Sequence, residues 1–426
     1  MDELKAKQWT IRTWSNRSRK NLLSILTLAL FSRLIVMWIV FSSYPNDWLF
    51  SKTPDLALLA LSISSGHGLS SPFGGFTGPS AFVAPGYPVM LSLIFRMFGP
   101  LSTSSAITLV AIQILFAVLT VAAMMRLGMR LFGQTTANIA GVYWSVSLPL
   151  IWLPLIPWES SLSALFLTAA VVLALRCVEK PSVELWGFTG AYCGLAMLVN
   201  PSLTLALLAI LGWSAYHLRS GWRYSPVLAF ILLLAVYAPW PIRNAVVLHS
   251  FIPFRSNFGY ELWQGNHSGG NGNFDGNLAP PKNREQNFAY GSQGELIYMQ
   301  GRSLVAINSI CSMPGRFALL SAQRVVRFWT GSGSNVNSGY VEAYAVSTSV
   351  LGILGLVLLF KRNRPVATLF LLPLVLLPLP YYLTHADFRF RVLLDPLLTI
   401  LAAYFFVETM GIWRVVCARY KDQSHD

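Results

Sequence analysis

Charge is what this sequence has least of. Asp, Glu, Lys and Arg make up 11% of 426 residues, against roughly 25% in a soluble domain, whose surface must be wetted. With 54% hydrophobic residues, the chain cannot cover a globule with charge, and most of it must face lipid. That excludes a cytosolic enzyme, a secreted domain and a disordered hub. Cysteine is scarce as well. Cys177, Cys193, Cys311 and Cys417 lie far apart, with no CxxC and no histidine at zinc-ligand spacing, and read as free thiols. GxGxxG, P-loop, HExxH and GxSxG are all missing, so nothing supports nucleotide, zinc or triad chemistry. The 31 basic against 17 acidic residues would suit a nucleic acid, but in a membrane chain such an excess orients the spans. No nucleic-acid partner is expected.

Long apolar runs are what remains. A helix needs about 20 apolar residues to cross the hydrocarbon core. Candidates fall at 21–43, 86–98, 104–125, 135–156, 160–177, 184–199, 201–218, 224–247, 343–360, 365–383 and 392–413. The segment 86–98, PGYPVMLSLIFRMFG with its flanks, is short, opens on two prolines and carries Arg96. Placed at the interface rather than across the membrane, it leaves ten spans. The connectors around Arg126/Arg130, Arg176/Lys180, Arg219/Arg223 and Lys361/Arg362/Arg364 then join both termini on the cytoplasmic side, as the positive-inside rule expects. The chain divides into a basic tail (1–20), an N-terminal membrane module (21–249) with a first external loop (44–103), a long external loop (250–341), C-terminal membrane helices (342–413) and a second tail (414–426).

On that topology the polar stretches all emerge on one face, and charges converging at membrane depth are a functional hypothesis. In the first loop a helical pattern starts at Asp55 and stops at Gly66-His67-Gly68, with a second helix from about Pro88. Both read as amphipathic helices lying at the interface. Asp55 is either a helix-start charge serving the macrodipole or a site residue. Glu159, after Pro157-Trp158, carries the same two readings. Arg243-Asn244 follows Pro239-Trp240-Pro241, which also suits an interfacial belt with a snorkelling arginine. Arg389-Phe390-Arg391 is sharper: paired guanidiniums suit phosphate oxygens, and cations outside work against the rule that would otherwise explain them. His385 and Asp387 lie beside them, with Asp395 one turn on. The long loop, rich in Asn and Gly, reads as a cover with one helix around 294–311.

These stretches, in this order, resemble the GT-C glycosyltransferases, in the bacterial branch related to protein O-mannosyltransferases and lipid A aminoarabinose transferases. The resemblance rests on the acid-led first-loop helix ending in Ser-Gly-His-Gly, Pro85-Gly86-Tyr87-Pro88, Trp158-Glu159-Ser160, Leu198-Val199-Asn200-Pro201 and Pro239-Trp240-Pro241-Ile242-Arg243-Asn244. It continues through Asn257-Phe258-Gly259, Glu261-Leu262, Gly265-Asn266 and Arg389-Phe390-Arg391, so it spans nearly the whole chain. It implies a polyprenyl-phosphate sugar as donor, an inverting transfer and a first-loop carboxylate as base. The family's first-loop Asp-Glu-x-x-Tyr departs here: Ser51 stands where its Asp belongs and Asp55 where its Tyr belongs. A four-residue shift keeps the same helix face. Relatives that hold a divalent metal use an acid near the proline before the second short helix, where this chain has Val83 and Ala84; no metal or other cofactor is expected.

The expectation is therefore an all-α integral membrane protein, a GT-C-like bundle of about ten spans with interfacial helices in the first loop. It would move a hexosyl or pentosyl unit from a polyprenyl-phosphate carrier to an acceptor in the cell envelope. The sequence names neither sugar nor acceptor. Asp55 would be the base and Glu159 a second pocket acid, with Arg389, Arg391 and Arg243 on the donor phosphate. His67, Tyr87, Asn200, Asn244, Glu261 and His385 are further pocket candidates. The site would face outward from a bacterial inner membrane. The rival reading is a transporter or lipid-sugar flippase, for which Arg33, near mid-span in the first helix, is the main support. A scaffold without activity is the third reading.

Overall fold

A computed structural model describes residues 16–44, 48–218, 220–222, 224–332 and 339–423. Asp47, Arg219, Arg223 and the basic tail ahead of Asn16 lie outside the described residues, as do the side chains of Arg414, Arg419 and Lys421. Among the described residues the chain is helical, without strands. In order the main helices are α1 (Asn16–Ser43), α2 (Pro54–Ser64), α3 (Gly86–Phe98), α4 (Thr103–Leu131), α5 (Gln134–Val146), α6 (Leu148–Trp152), α7 (Ser160–Glu179), α8 (Val183–Val199), α9 (Thr204–Tyr216) and α10 (Ser225–Tyr237). They continue as α11 (Pro239–Val247), α12 (Phe258–Asn266), α13 (Arg284–Gln293), α14 (Glu295–Ser312), α15 (Pro314–Thr330), α16 (Gly339–Arg362), α17 (Arg364–Leu376), α18 (Leu379–Leu383), α19 (Phe388–Arg391) and α20 (Asp395–Gln423).

Among the described residues six helices are long and apolar enough to cross a membrane, or eight if each of two bent pairs counts as one span. The expected count of ten is thus not reached on length and composition. The predicted spans 184–199 and 201–218 are α8 and α9, apolar but of 17 and 13 residues. The predicted span 135–156 is broken: α5 and the segment 148–155 meet at 63°. Pro149 is the cause, because it has no N–H to offer and its ring clashes with the carbonyl four residues back. That carbonyl, on Ser145, takes Ser32 Oγ at 3.0 Å and Arg33 Nη1 at 3.4 Å. Arg33 also donates to the carbonyls of Ala29, Trp144 and Leu150 at 2.9–3.4 Å. The mid-span cation that favoured a transporter is thus a plug for a broken helix.

In lipid, helices associate through close packing rather than hydrophobic exclusion, and small residues let backbones meet. α8 lies on α10 and α16 on α20 in this way. A Cβ on Gly190 or on Gly355 would collide with the carbonyls of Ala229 and Leu401.

The first loop folds as its pattern predicts. Pro54 begins α2, and Leu56, Ala57, Leu59 and Ala60 bury one face of it. The helix gives out before Gly66 and Gly68, both at positive φ. α2 packs on α3, which covers the expected segment 86–98 and begins two residues before Pro88. The long loop departs further from expectation. Besides α14 it forms α12, α13 and α15, and its Tyr260, Trp263, Tyr290 and Tyr298 share a core with Phe73, Phe82, Tyr87 and Leu91 of the first loop. A buried carboxylate ties the two together. Glu295 Oε1 accepts from Ala81 N and Ser256 Oγ, each at 2.7 Å, and Oε2 accepts from Tyr290 Oη at 2.8 Å.

Candidate active site

Where the two loops meet the membrane bundle, a cavity of about 960 Å³ opens. The start of α2 brings Asp55 to it, the start of α7 brings Glu159, α12 brings Glu261, and the segment after α18 brings His385 and Arg389. Asn200 lines it too, held by a 3.1 Å bond to Ser163 Oγ. Apolar groups such as Val36, Ile151, Leu205 and Phe258 form much of the remaining wall.

Asp55 is surrounded by protein while still reaching the cavity. Burial raises its carboxyl pKa, and the helix-start N–H of Leu56, Arg389 and Arg255 each pull it down by less. The sequence leads one to expect a helix start to favour the ionised form; desolvation outweighs it here. Glu261 is raised for the same first reason, opposed by Arg255 and Arg389 and reinforced by Asp55. Its Oε1 accepts from Asn257 Nδ2 at 2.8 Å, and its Oε2 lies 3.5 Å from His385 Nδ1. Burial, with Arg389 and Arg324 nearby, lowers His385 to about 3, so that contact is with a neutral imidazole rather than an ion pair. Glu159 precedes the first turn of α7 but makes no side-chain cap there.

Arg389 lines the cavity with the cations of Lys52, Arg255 and Lys282. Its guanidinium sits 4.4 Å over the Trp158 ring and 4.7 Å over Phe390, and its Nε has no hydrogen-bond partner among the described residues. Arg391 is placed otherwise. It is 0% exposed, ion-paired with Asp395, and donates to Ala345 O, Thr348 Oγ1 and Ser349 Oγ. Two residues on from Arg389 the short helix α19 has turned it into the bundle, so it does not line the cavity. Arg243 is also spent elsewhere: it donates at 2.8 Å to the carbonyls of Ser80 and Leu69, clamping the first loop. Asn244 donates to Ile252 O at 3.0 Å. His67 is exposed at the end of α2, and Tyr87 is buried in the shared core. None of Arg391, Arg243, Asn244, His67 and Tyr87 lines the cavity.

Sequence reasoning missed Arg255. It lines the cavity, anchored by an Nε bond of 3.1 Å to Phe82 O, and its charge reaches both Asp55 and Glu261. Its place two residues before Asn257-Phe258-Gly259 was the available signal. α12 itself is drawn in by Gly265, where a Cβ would collide with the Thr384 carbonyl beside His385. Among the described residues no three His, Cys, Asp or Glu side chains gather as a metal cluster requires.

The carboxylates of Asp55, Glu159, Glu261 and Asp387, the guanidiniums of Arg255 and Arg389 and a largely apolar wall thus share one cavity at the end of a membrane bundle. Residues 83–242 match the family model of dolichyl-phosphate-mannose-protein mannosyltransferase. No curated protein matches the chain by sequence. Among solved structures, the archaeal oligosaccharyltransferase AglB from Archaeoglobus fulgidus, in complex with an inhibitory peptide and a dolichol-phosphate, superposes over 94% of this chain with a TM-score of 0.54 at 15% identity. Its apo form gives 0.55 over 93%, also at 15% identity. The fold is GT-C. This GT-C chain covers 52% of the first of those AglB chains and 51% of the second, about half their length. ArnT from Cupriavidus metallidurans, bound to undecaprenyl phosphate, superposes more loosely, at a TM-score of 0.43 and 14% identity over 90% of this chain and 77% of its own.

Proposed function

We propose that this GT-C protein is a membrane glycosyltransferase taking a sugar from a polyprenyl-phosphate carrier. The observation that carries the reading is the convergence of Asp55 with Arg389 and Arg255 in one cavity whose wall is largely apolar. A lipid-linked donor needs no nucleotide motif, and its tail can stay in lipid while its phosphate reaches the cations. AglB, which shares this fold, is in complex with a dolichol-phosphate, a carrier of the same class.

In the proposed reaction Asp55 takes the proton of an acceptor hydroxyl or amide. The freed oxygen or nitrogen attacks the anomeric carbon from the face opposite the phosphate, the carbon–oxygen bond to phosphate breaks, and configuration inverts. General-base help of this kind is efficient when the base pKa is raised toward the working pH, the direction burial gives Asp55. The leaving phosphate gains charge, and Arg389 with Arg255 would stabilise it. Glu261, fixed by Asn257, and Glu159 would orient the acceptor. In this reading the site faces outward from a bacterial inner membrane and both termini are cytoplasmic. The plugged Arg33 removes the main support for a transporter.

The test is mass spectrometry of envelope glycolipids and glycoproteins from cells with and without the protein. A sugar-sized mass difference should vanish on deletion, return with the wild type, and fail to return with Asp55→Asn. Identical profiles with and without the protein would overturn the reading.

A further inference from the structure

Helix α7 starts beside Glu159 at the cavity and ends at Glu179. At about 1.5 Å per residue it covers roughly 30 Å, the thickness of the hydrocarbon core. At its far end a second cavity of about 670 Å³ opens between α1, α4 and α7. Arg19, Arg126, Arg130, Arg176 and Lys180 line it, against the single carboxylate of Glu179. That carboxylate is ion-paired with Arg130. Among the described residues the side chains of Arg19, Arg126, Arg176 and Lys180 have no hydrogen bond or ion pair. Leu22, Leu127, Val172 and Leu185 complete the lining.

Orienting a membrane chain requires cations on one side, but not their convergence on one concavity. Spread around the bundle they would repel one another less. Four unpaired cations around a pocket with apolar walls, one bilayer thickness from the first site, match what an anionic headgroup with acyl chains requires. We propose that this basin binds a phosphate group carried by a membrane lipid of the leaflet opposite the candidate active site. The cations would hold the phosphate oxygens, Arg19 and Arg126 from one wall and Arg176 and Lys180 from the other, while the leucines meet the first methylenes of the chains. The inference stands apart from the transferase reading, because none of these residues lines the first cavity.

Native mass spectrometry of the purified full-length protein with added phosphatidylglycerol tests it, with phosphatidylcholine as the neutral comparison. The wild type should retain phosphatidylglycerol in preference to phosphatidylcholine, and Arg126→Gln/Arg176→Gln should weaken that retention roughly thirtyfold. Excess inorganic phosphate that leaves the lipid bound supports a lipid headgroup as the ligand. Displacement by inorganic phosphate instead shows that the basin takes a phosphate ion without its lipid, and overturns the lipid assignment. Equal retention by wild type and double variant overturns the site itself. Both arginines are exposed, so the double variant should unfold at the same temperature as the lipid-free wild type. Should it fail to purify, Lys180→Gln alone decides in the same assay, with a weaker but measurable loss expected and equal retention overturning the proposal.

Discussion

The guanidinium of Arg389 lies 4.4 Å over the indole of Trp158, joining the segment before α20 to the start of α7. The contact holds the cation at the cavity without using its N–H donors, which stay available to an anion. Arg391, two residues later, has spent its donors inside the bundle.

The two arginines should therefore fail in different ways. Arg389→Ala is expected to weaken donor use by about ten- to hundredfold, the roughly 1.5–3 kcal/mol of a charge-assisted contact, while the protein stays folded. Arg391→Ala leaves Asp395 buried without its partner, which costs about 3–5 kcal/mol, and should lower the unfolding temperature in detergent. Donor titration and thermal unfolding on both variants check this. A folded, stable Arg391→Ala variant that has lost donor binding would reverse the two assignments.

Asp55→Asn, nearly isosteric, should reduce transfer by about 10²–10⁴-fold, the usual loss for a general base, and leave donor binding intact. Glu159→Gln should fall between that variant and wild type. Retention of more than about a tenth of the rate, under roughly 1.4 kcal/mol in barrier, would return Asp55 to its role as a helix-start charge.

The acid side of the pH–rate profile follows from the same residue. A base works only when deprotonated, so transfer should fall as pH drops through the pKa of Asp55, which burial holds above the ordinary carboxylate value of about 3.9. Arg255 pulls that pKa down. Arg255→Gln should therefore move the acid limb to higher pH, and a limb that stays in place or moves down counts against Asp55 as the titrating group.

Glu295→Ala removes three acceptor contacts at a residue 4% exposed. It leaves Ala81 N–H and two hydroxyls without their partner, at a cost of about 1–3 kcal/mol per buried group. The expected outcome is faster proteolysis in the long loop and a lower unfolding temperature. Unchanged proteolysis would mean that the aromatic core alone joins the two loops.

Sidedness has its own check. In a cysteine-free background, Phe76→Cys and Asn271→Cys should react with a membrane-impermeant maleimide in intact cells, Phe76 being 100% exposed. Thr135→Cys, at the opposite end of the bundle, should stay silent until the membrane is opened. Labelling of Thr135→Cys from outside would invert the proposed topology.

The sequence made some of this legible and some not, for identifiable reasons. Helix α2 could be read because Pro54, the Leu and Ala spacing and the glycines after Ser65 all act locally. α3 could be read as a short helix because its apolar run is brief and bounded by Pro85 and Gly99. The roles of Arg243 and Arg391 could not be read, since a motif gives the residue type but not which way a short helix turns it. Arg255 could not be singled out, because its place depends on how α12 and the first loop close around it. The break at Pro149 was visible as a proline, yet its consequence depended on a residue in another helix.

That residue bears on how the protein is made. An arginine alone at the centre of a membrane helix costs about 2.5–3.5 kcal/mol to insert, and the carbonyls it satisfies lie more than a hundred residues downstream. During synthesis α1 must carry Arg33 before α5 and α6 exist to receive it. The first helix is therefore a provisional occupant of the bilayer, settled only when the broken pair arrives. Arg33→Leu would ease the early step while leaving the carbonyls of Trp144 and Leu150 without their Arg33 donor in the finished bundle.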